Sequence, residues 1–199
     1  MILNIGRQLG SGGREIAKRL AQELNMKYFD KEILLLAAKD SGICEEMFER
    51  VDECAEKSGG FWGLHVPWNS YLPFVSGLTN DTLFQIQSDV IRREAEKHDC
   101  VFVGRCADYI LRERQDCLNV FVMANMHDRI ARIMQHYDFD EKQSEERMKK
   151  SDKERAAYYD FYTDKSWGVA SSYDLCLNTS VCGIEGAVKT IKDFLVYKK

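Results

Sequence analysis

The sequence predicts a three-layer α/β/α protein built on a five-stranded, mostly parallel sheet. Three observations predict it. Five short runs read as buried-type strands: residues 2–5, 27–29, 100–103, 118–123 and 173–177. Between them lie stretches whose apolar residues recur at three- and four-residue steps, as in helices that cover a sheet. The chain also opens with a strand, a glycine-rich turn and a helix in immediate succession. A length of 199 residues fits one domain, because dividing it would leave two thin cores.

The elements follow in order. After the first strand, the turn runs from Gly6 to Gly13, and Ile16, Ala17, Leu20, Ala21 and Leu24 mark one face of a helix that Asn25 stops. The second strand leads into a helix from about Asp30 to Lys39, punctuated by Ser41 and Gly42. Residues 45–55 read as a polar-faced helix with Met47, Phe48 and Val51 on its apolar side. From 58 to 79 periodicity is lost. Gly59, Gly60, Pro67, Pro73 and Gly77 break the chain, while Phe61, Trp62, Trp68, Tyr71 and Phe74 interleave, either as a contact surface or as packing of a long loop on its own domain. An amphipathic helix from Asp81 to Lys97 turns Leu83, Phe84, Ile86, Val90, Ile91 and Ala95 inward, and Gly104 ends the third strand. A short helix through Tyr109 and Leu111 precedes the fourth strand, and Ile130, Ile133 and Met134 mark the next helix. Residues 138–155 are mostly charged. As a helix they could not bury a wide face, so they are expected in solvent, as a surface helix or a mobile arm. A helix with Ile184, Ala187, Val188, Ile191, Phe194 and Leu195 at 3-4 spacing closes the chain.

Composition narrows the function classes. The chain is 45% apolar and 30% charged with a net charge of -4, ordinary for a globular protein. Such mild charge argues against coating nucleic acid by bulk attraction and leaves room for a local basic pocket. The longest apolar run, residues 33–38, falls far short of the roughly 20 residues that cross a bilayer. No charged leader or cleavage-type region precedes the first strand, so neither a signal peptide nor a membrane association is expected. Seven cysteines without a Cys-x-x-Cys pair, and four scattered histidines, point to reduced core-filling thiols, no metal–thiolate site and a cytoplasmic location.

Ligands of parallel sheets bind beyond the carboxyl ends of the strands, which directs attention to the loops after Ile5, Phe29, Val103 and Met123. In the first of these, Gly10, Ser11, Gly12 and Gly13 can turn successive N–H groups onto an anion while the following helix adds the positive end of its dipole. Arg7 and Arg14 add charge. The match to the strict pattern Gly-x-x-x-x-Gly-Lys-Ser/Thr is poor: with Gly12 before the lysine position, Gly13 replaces the lysine, Arg14 the hydroxyl residue and Arg7 the first glycine. The lysine ordinarily touches the transferred phosphoryl group and the hydroxyl helps position magnesium. Arg14 can restore the charge with a planar, always-protonated fork, although arginine is not lysine's equivalent. A tight turn without a ligand remains the alternative.

Residues 5–21, from Ile5-Gly6-Arg7 through Gly12-Gly13-Arg14 to Leu20-Ala21, are similar to the opening of the cytidylate kinase-like family, relatives of bacterial cytidylate kinases with an altered phosphate loop. The resemblance continues in order through Tyr28-Phe29-Asp30-Lys31-Glu32, residues 103–111, residues 151–159, Trp167-Gly168 and residues 173–179. It implies a P-loop NTPase-like fold with a five-stranded parallel sheet: a core near 1–30, 98–137 and 170–199, a helical acceptor-binding insertion over 31–97 and a lid over 138–168. It also implies ATP and Mg2+, with a small-molecule nucleotide as the phosphoryl acceptor. Gly104-Arg105 resembles the family's Gly-Arg-Asp element, whose arginine and aspartate serve the acceptor, but Cys106 replaces the aspartate and Asp108 lies nearby. Asp152 and Arg155 resemble the lid's Asp-x-x-Arg, with Lys149 a further lid cation. Lys31 follows the second strand, where the acceptor segment begins, whereas Asp30 beside it reads as a helix cap. Tyr158, Tyr159 and Trp167 read as hinge packing or as a base-stacking surface.

The leading expectation is therefore a phosphotransferase moving a phosphoryl group from MgATP to a nucleoside monophosphate or similar small acceptor. Gly10, Ser11, Gly12, Gly13 and Arg14 would cradle the phosphates, Arg14 and Arg155 stabilise transferred charge, and Lys31, Arg105 and Asp108 hold the acceptor. Two alternatives stay open: a non-catalytic nucleotide-binding or regulatory protein on the same fold, and a kinase of a non-nucleotide acceptor.

Overall fold

Each of the five expected strands forms, and each pairs in parallel. In the computed structural model, which describes residues 1–30 and 80–198, they are β1 (Ile2–Arg7), β2 (Lys27–Phe29), β3 (Cys100–Val103), β4 (Cys117–Met123) and β5 (Leu175–Asn178). Their order in the sheet is β2-β3-β1-β4-β5. Numbered among the described residues, the helices are α1 (Gly13–Glu23), α2 (Asn80–Lys97), α3 (Ala107–Ile110), α4 (Met126–His136), α5 (Glu141–Tyr162) and α6 (Thr179–Phe194). The helices expected over 30–39 and 45–55, the aromatic loop of 58–79 and Lys31 lie outside the described residues.

Residues 1–30 and 94–199 form one unit and residues 31–93 a second. The first unit holds the sheet. Its main core joins one face of β1, β3 and β4 (Leu3, Ile5, Val101, Val103, Leu118, Val120 and Val122) to Ile16, Ala17 and Leu20 of α1 and Ala187, Val188 and Ile191 of α6. On the opposite face Phe29 stacks on Phe102 at 5.3 Å, and Phe121 meets Trp167 edge-on at 5.2 Å and Tyr173 at 4.9 Å. Trp167 and Tyr173 therefore pack against the Phe121 ring of β4. Burial on both faces is what continuous apolar strands require.

Local chemistry sets the ends of the elements. Asn25, at φ 52, closes α1 in the left-handed conformation, and the Met26 and Asn25 amides return to Ala21 and Gln22 carbonyls at 2.8 and 3.4 Å, a Schellman stop. Asp140 and Gln143 form a reciprocal capping box at the start of α5. Two details differ from the sequence expectation. β5 begins at Leu175 because the Tyr173 ring is committed to Phe121 and Asp174 ties to Asn119. Gly183, at φ 66, interrupts α6, so its regular part follows the kink.

The charged helix also differs. Half of α5 is exposed, but Ser144, Met148 and Tyr159 are buried and Asp152 and Arg155 are half-buried between them. Steps of four, four, three and four place all five on one stripe. Met148 packs with Leu9, Ile130 and Ile133, so this helix rests against the glycine-rich turn and α4. Because the middle of the stripe is ionic, hydropathy does not reveal it.

The order β2-β3-β1-β4-β5 has a functional consequence. The connection leaving β1 runs toward β2, and the one leaving β4 runs the other way, toward β5. A crevice therefore opens between the carboxyl ends of β1 and β4. The glycine-rich turn occupies its lip.

Candidate functional site

The turn after β1 is held from four elements. From the sheet, the Gln8 amide donates to the Val122 carbonyl at 3.0 Å. From α4, Arg129 Nε donates to the Leu9 carbonyl at 2.7 Å, and Arg132 donates to the Gly10 carbonyl at 3.1 Å. From α5, Asp152 accepts the Leu9 amide at 2.9 Å and pairs through its other oxygen with Arg129. Thr179, at the start of α6, donates to the Ser11 carbonyl at 2.8 Å, and the buried Ser11 hydroxyl returns to Gln8 at 2.9 Å. These bonds engage the carbonyls of residues 8–11 and the amides of Gln8 and Leu9. Among the described residues, no hydrogen bond engages the amides of Gly10 or Gly12.

Glycine is required where the turn is tightest. Gly10 and Gly12 sit at φ 76 and 82, and a Cβ on Gly10 would stand 2.6 Å from the Arg129 carbonyl oxygen. Left-handed backbone and close approach together exclude other residues at position 10. Glycine-rich turns that run into a helix N-terminus can present amides to an anion; here the Ser11 amide returns to the Gln8 carbonyl at 3.4 Å and the Gly13 amide donates to the Ser11 hydroxyl at 3.4 Å.

Beside the turn, arginines from four elements gather around one buried carboxylate. Asp30, at the end of β2, is 5% exposed in its side chain; it receives Arg7 at 3.3 Å and Arg14 at 2.8 Å. The Tyr28 hydroxyl donates to it at 3.4 Å, and burial together with Asp30 pushes the Tyr28 pKa up to about 12. Arg155 reaches across from α5 to donate to the Arg7 carbonyl at 3.1 Å. Burial, reinforced by Arg7 and Arg105, pushes the Arg155 guanidinium well down from its ordinary value. Burial also pushes Arg105 down, with Tyr158 and Asp30 opposing the shift and Arg7 adding to it. A depressed guanidinium pKa means that the charged form is held against an electrostatic cost, which a bound anion would relieve.

The loop after β3 carries the strain. Gly104, Arg105 and Cys106 lie in succession at φ 74, 65 and 56, and left-handed non-glycine residues cost on the order of 1–3 kcal/mol each. A Cβ on Gly104 would run into the Arg7 guanidinium, so the loop lies directly against Arg7. Cys106 points into the core with its thiol pKa pushed up by burial. Burial likewise pushes Cys100 to about 12 and Cys117 to about 11, which makes these thiols inert packing groups.

The structure brings Gly10, Ser11, Gly12, Gly13, Arg14, Arg105, Asp152 and Arg155 around one locus. Two expected residues stand apart. Asp108 is buried and accepts the Tyr159 hydroxyl at 2.6 Å, with Lys165 at 3.7 Å, so its carboxylate ties the end of α5 to α3. Lys149 is 63% exposed and pairs with Glu145 at 2.5 Å. Asp30 turns its carboxylate to Arg7 and Arg14, and the helix it was expected to cap lies outside the described residues. Arg129, Arg132 and Thr179 had no signal in the sequence, because single polar residues on otherwise ordinary helices read as surface.

The model of the cytidylate kinase-like family matches residues 2–181. None of the curated proteins matches the chain. Among solved structures, an uncharacterized protein from Eubacterium ventriosum ATCC 27560 is 28% identical over 98% of each chain, with a TM-score of 0.73. Shikimate kinase from Bacteroides thetaiotaomicron superposes with a TM-score of 0.57 at 11% identity, covering 98% of each chain. Shikimate kinase from Acinetobacter baumannii, in complex with shikimate, gives 0.52 at 12% identity, covering 100% of this chain and 93% of that one. At those identities the likeness to the shikimate kinases is one of fold.

Proposed function

Since the chain belongs to the cytidylate kinase-like family and has the fold of P-loop kinases, we propose that it transfers the γ-phosphoryl group of ATP to a nucleoside monophosphate or similar small acceptor. The observation that carries this reading is the gathering of Arg7, Arg14, Arg105 and Arg155 around Asp30, next to the amides of residues 10–14. Phosphoryl transfer asks for alignment and for cations on the developing charge rather than for a covalent nucleophile.

In this reading the turn amides and the α1 N-terminus hold the triphosphate, and Arg14 and Arg155 lie along the transferring group. Arg105, on its strained loop, orients the acceptor, with Lys31 assisting. The bond from phosphorus to the β-bridging oxygen breaks as one to the acceptor oxygen forms, leaving ADP. The Asp30 carboxylate is engaged by Arg7 and Arg14, so it is not positioned to take a proton from an acceptor. An acceptor that is already anionic, such as a monophosphate, needs no proton removed and suits the site better than an alcohol. Asp108 holds α5 in place behind the acceptor loop, and Lys149 adds charge on the outer face of the lid.

Mg2+ would enter with the nucleotide. Among the described residues no three His, Cys, Asp or Glu side chains could hold a metal by themselves. Magnesium in phosphotransferases takes phosphate oxygens and waters with one or two carboxylates, and Asp30 is the carboxylate the cluster offers. When bound, the metal supplies charge neutralisation on the phosphate oxygens. No helix among the described residues is long and apolar enough to cross a membrane, and the reading places the enzyme in the cytoplasm with nucleotide substrates.

The test is ADP formation from MgATP against a panel of nucleoside monophosphates and small alcohols. ADP released with one or a few monophosphates supports the reading. Turnover only with an alcohol would reassign the acceptor, and tight ATP binding without turnover on any acceptor would favour a regulatory nucleotide-binding protein.

A further inference from the structure

Gly13 stands where a standard phosphate loop carries its lysine, and Arg7 stands where that loop carries its first glycine. We propose that these two departures are one reciprocal exchange: Arg7 delivers, from the end of β1, the phosphate-contacting cation that the lysine would deliver from the start of α1. This rests on the nucleotide reading above and names the residue that makes the altered loop competent.

The steric half of the case lies between positions 7 and 13. Gly13 lies outside the left-handed region, so its backbone accepts any side chain. What excludes one is Arg7: a Cβ at position 13 would stand 2.6 Å from the Arg7 Cβ and 3.2 Å from its Cγ. Those atoms belong to the stiff base of the side chain and cannot swing away, so a lysine at 13 and an arginine at 7 are mutually exclusive. With glycine at 7, the nearest remaining atom is the Val122 Cβ at 3.2 Å, a contact that a few tenths of an ångström relieves. A strict-pattern loop therefore fits this backbone once Arg7 is gone.

The electrostatic half is the position of the guanidinium. It lies against Gly104, reaches Asp30 at 3.3 Å and is 19% exposed in its side chain. Arg155 and Arg105 both feel its charge. A side chain that starts beside Gly13 and ends among Arg14, Arg105 and Arg155 spans the same gap, from loop to cluster, that a lysine at 13 would span. The guanidinium also brings a planar fork able to contact two phosphate oxygens at once.

The experiment is calorimetric ATP binding with parallel thermal melts for five proteins. Arg7→Gln keeps the stem packed on Gly13 and removes the charge; it should weaken ATP binding roughly ten- to a hundredfold, as loss of a charged hydrogen bond does. Gly13→Lys alone should melt well below wild type. Arg7→Gly with Gly13→Lys should melt near wild type and recover most of the lost affinity. Arg7→Ala with Gly13→Lys should not, because the Cβ that causes the clash is retained. Unchanged affinity in Arg7→Gln overturns the proposal, as does a well-folded glycine–lysine double variant that binds no better than Arg7→Gln. A wild-type protein that fails to bind ATP at millimolar concentration removes the nucleotide reading instead, a result distinguishable because all variants are then equally silent.

Discussion

Asp152 offers the sharpest energetic test, because the geometry sets it to fasten the glycine-rich turn. One of its oxygens accepts the Leu9 amide at 2.9 Å and the other pairs with Arg129, whose side chain is 8% exposed. Asp152→Ala strands that guanidinium. Breaking a buried pair by removing one partner costs about 3–5 kcal/mol. Arg129 keeps its bond to the Leu9 carbonyl and Asp152 is 16% exposed, so the lower end applies, about 3 kcal/mol. The orphaned Leu9 amide adds about 1 kcal/mol. At roughly 2–4 °C per kcal/mol for a chain of this size, a loss of about 4 kcal/mol lowers the melting temperature by about 8–16 °C. Asp152→Asn, which keeps an oxygen for Leu9, should fall between the two. Circular-dichroism melts and urea titrations read the effect. A shift of Asp152→Ala below about 2 °C, less than 1 kcal/mol on that scale, would refute the assignment of Asp152 as the fastener between α5 and the turn.

Arg155, one turn further on the same stripe, should behave in the opposite way. Arg155→Ala removes a guanidinium crowded by Arg7 and Arg105, so stability should change by less than about 1 kcal/mol, while turnover falls at least tenfold, about 1.4 kcal/mol; equal losses of turnover and ATP affinity would contradict its placement on the transferring group. Gly10→Ala combines a left-handed φ with a 2.6 Å approach to the Arg129 carbonyl oxygen, and urea titration should show a loss above about 1–2 kcal/mol; an unchanged midpoint would contradict the turn geometry. Asp108 gives a pH test. Burial raises its pKa above the ordinary 3.8, so between 3.8 and the raised value the folded state holds more proton than the unfolded one, and the group's contribution declines as pH rises through that window. Relative to Asp108→Asn, the wild type should be best placed at the acid end and lose ground toward neutrality, and a gap independent of pH would be inconsistent with the buried carboxylate.

The sheet was legible because apolar runs and the 3-4 helical periodicity respond to burial, which is what hydropathy measures. Strand positions matched within two residues, and Asn25 was readable as a stop because its tolerance of positive φ has a local cause. The face of α5 was not legible. Its central members, Asp152 and Arg155, are half-buried through ionic and hydrogen-bonded partners supplied by β1, its following turn and α4, and those partners are distant in sequence. The same reason hid Arg129, whose burial is compensated by Leu9 and Asp152 rather than by apolar neighbours. At positions 7 and 13 the departure from the strict pattern was visible in the sequence, but its meaning was not. That Gly13 is small because Arg7 is large is a statement about one distance between two Cβ positions, and no spacing rule contains it.

The central claim is that residues 10–14 and the arginines around Asp30 seize a nucleotide's phosphates. A crystal structure of the protein with a non-hydrolysable ATP analogue and magnesium tests it most directly. The account predicts the β- and γ-phosphates seated on the amides of Gly12, Gly13 and Arg14, with the guanidinium groups of Arg7, Arg14 and Arg155 turned from Asp30 toward their oxygens. Phosphates lodged elsewhere, or an analogue absent at millimolar concentration with the arginines still closed on Asp30, would contradict it.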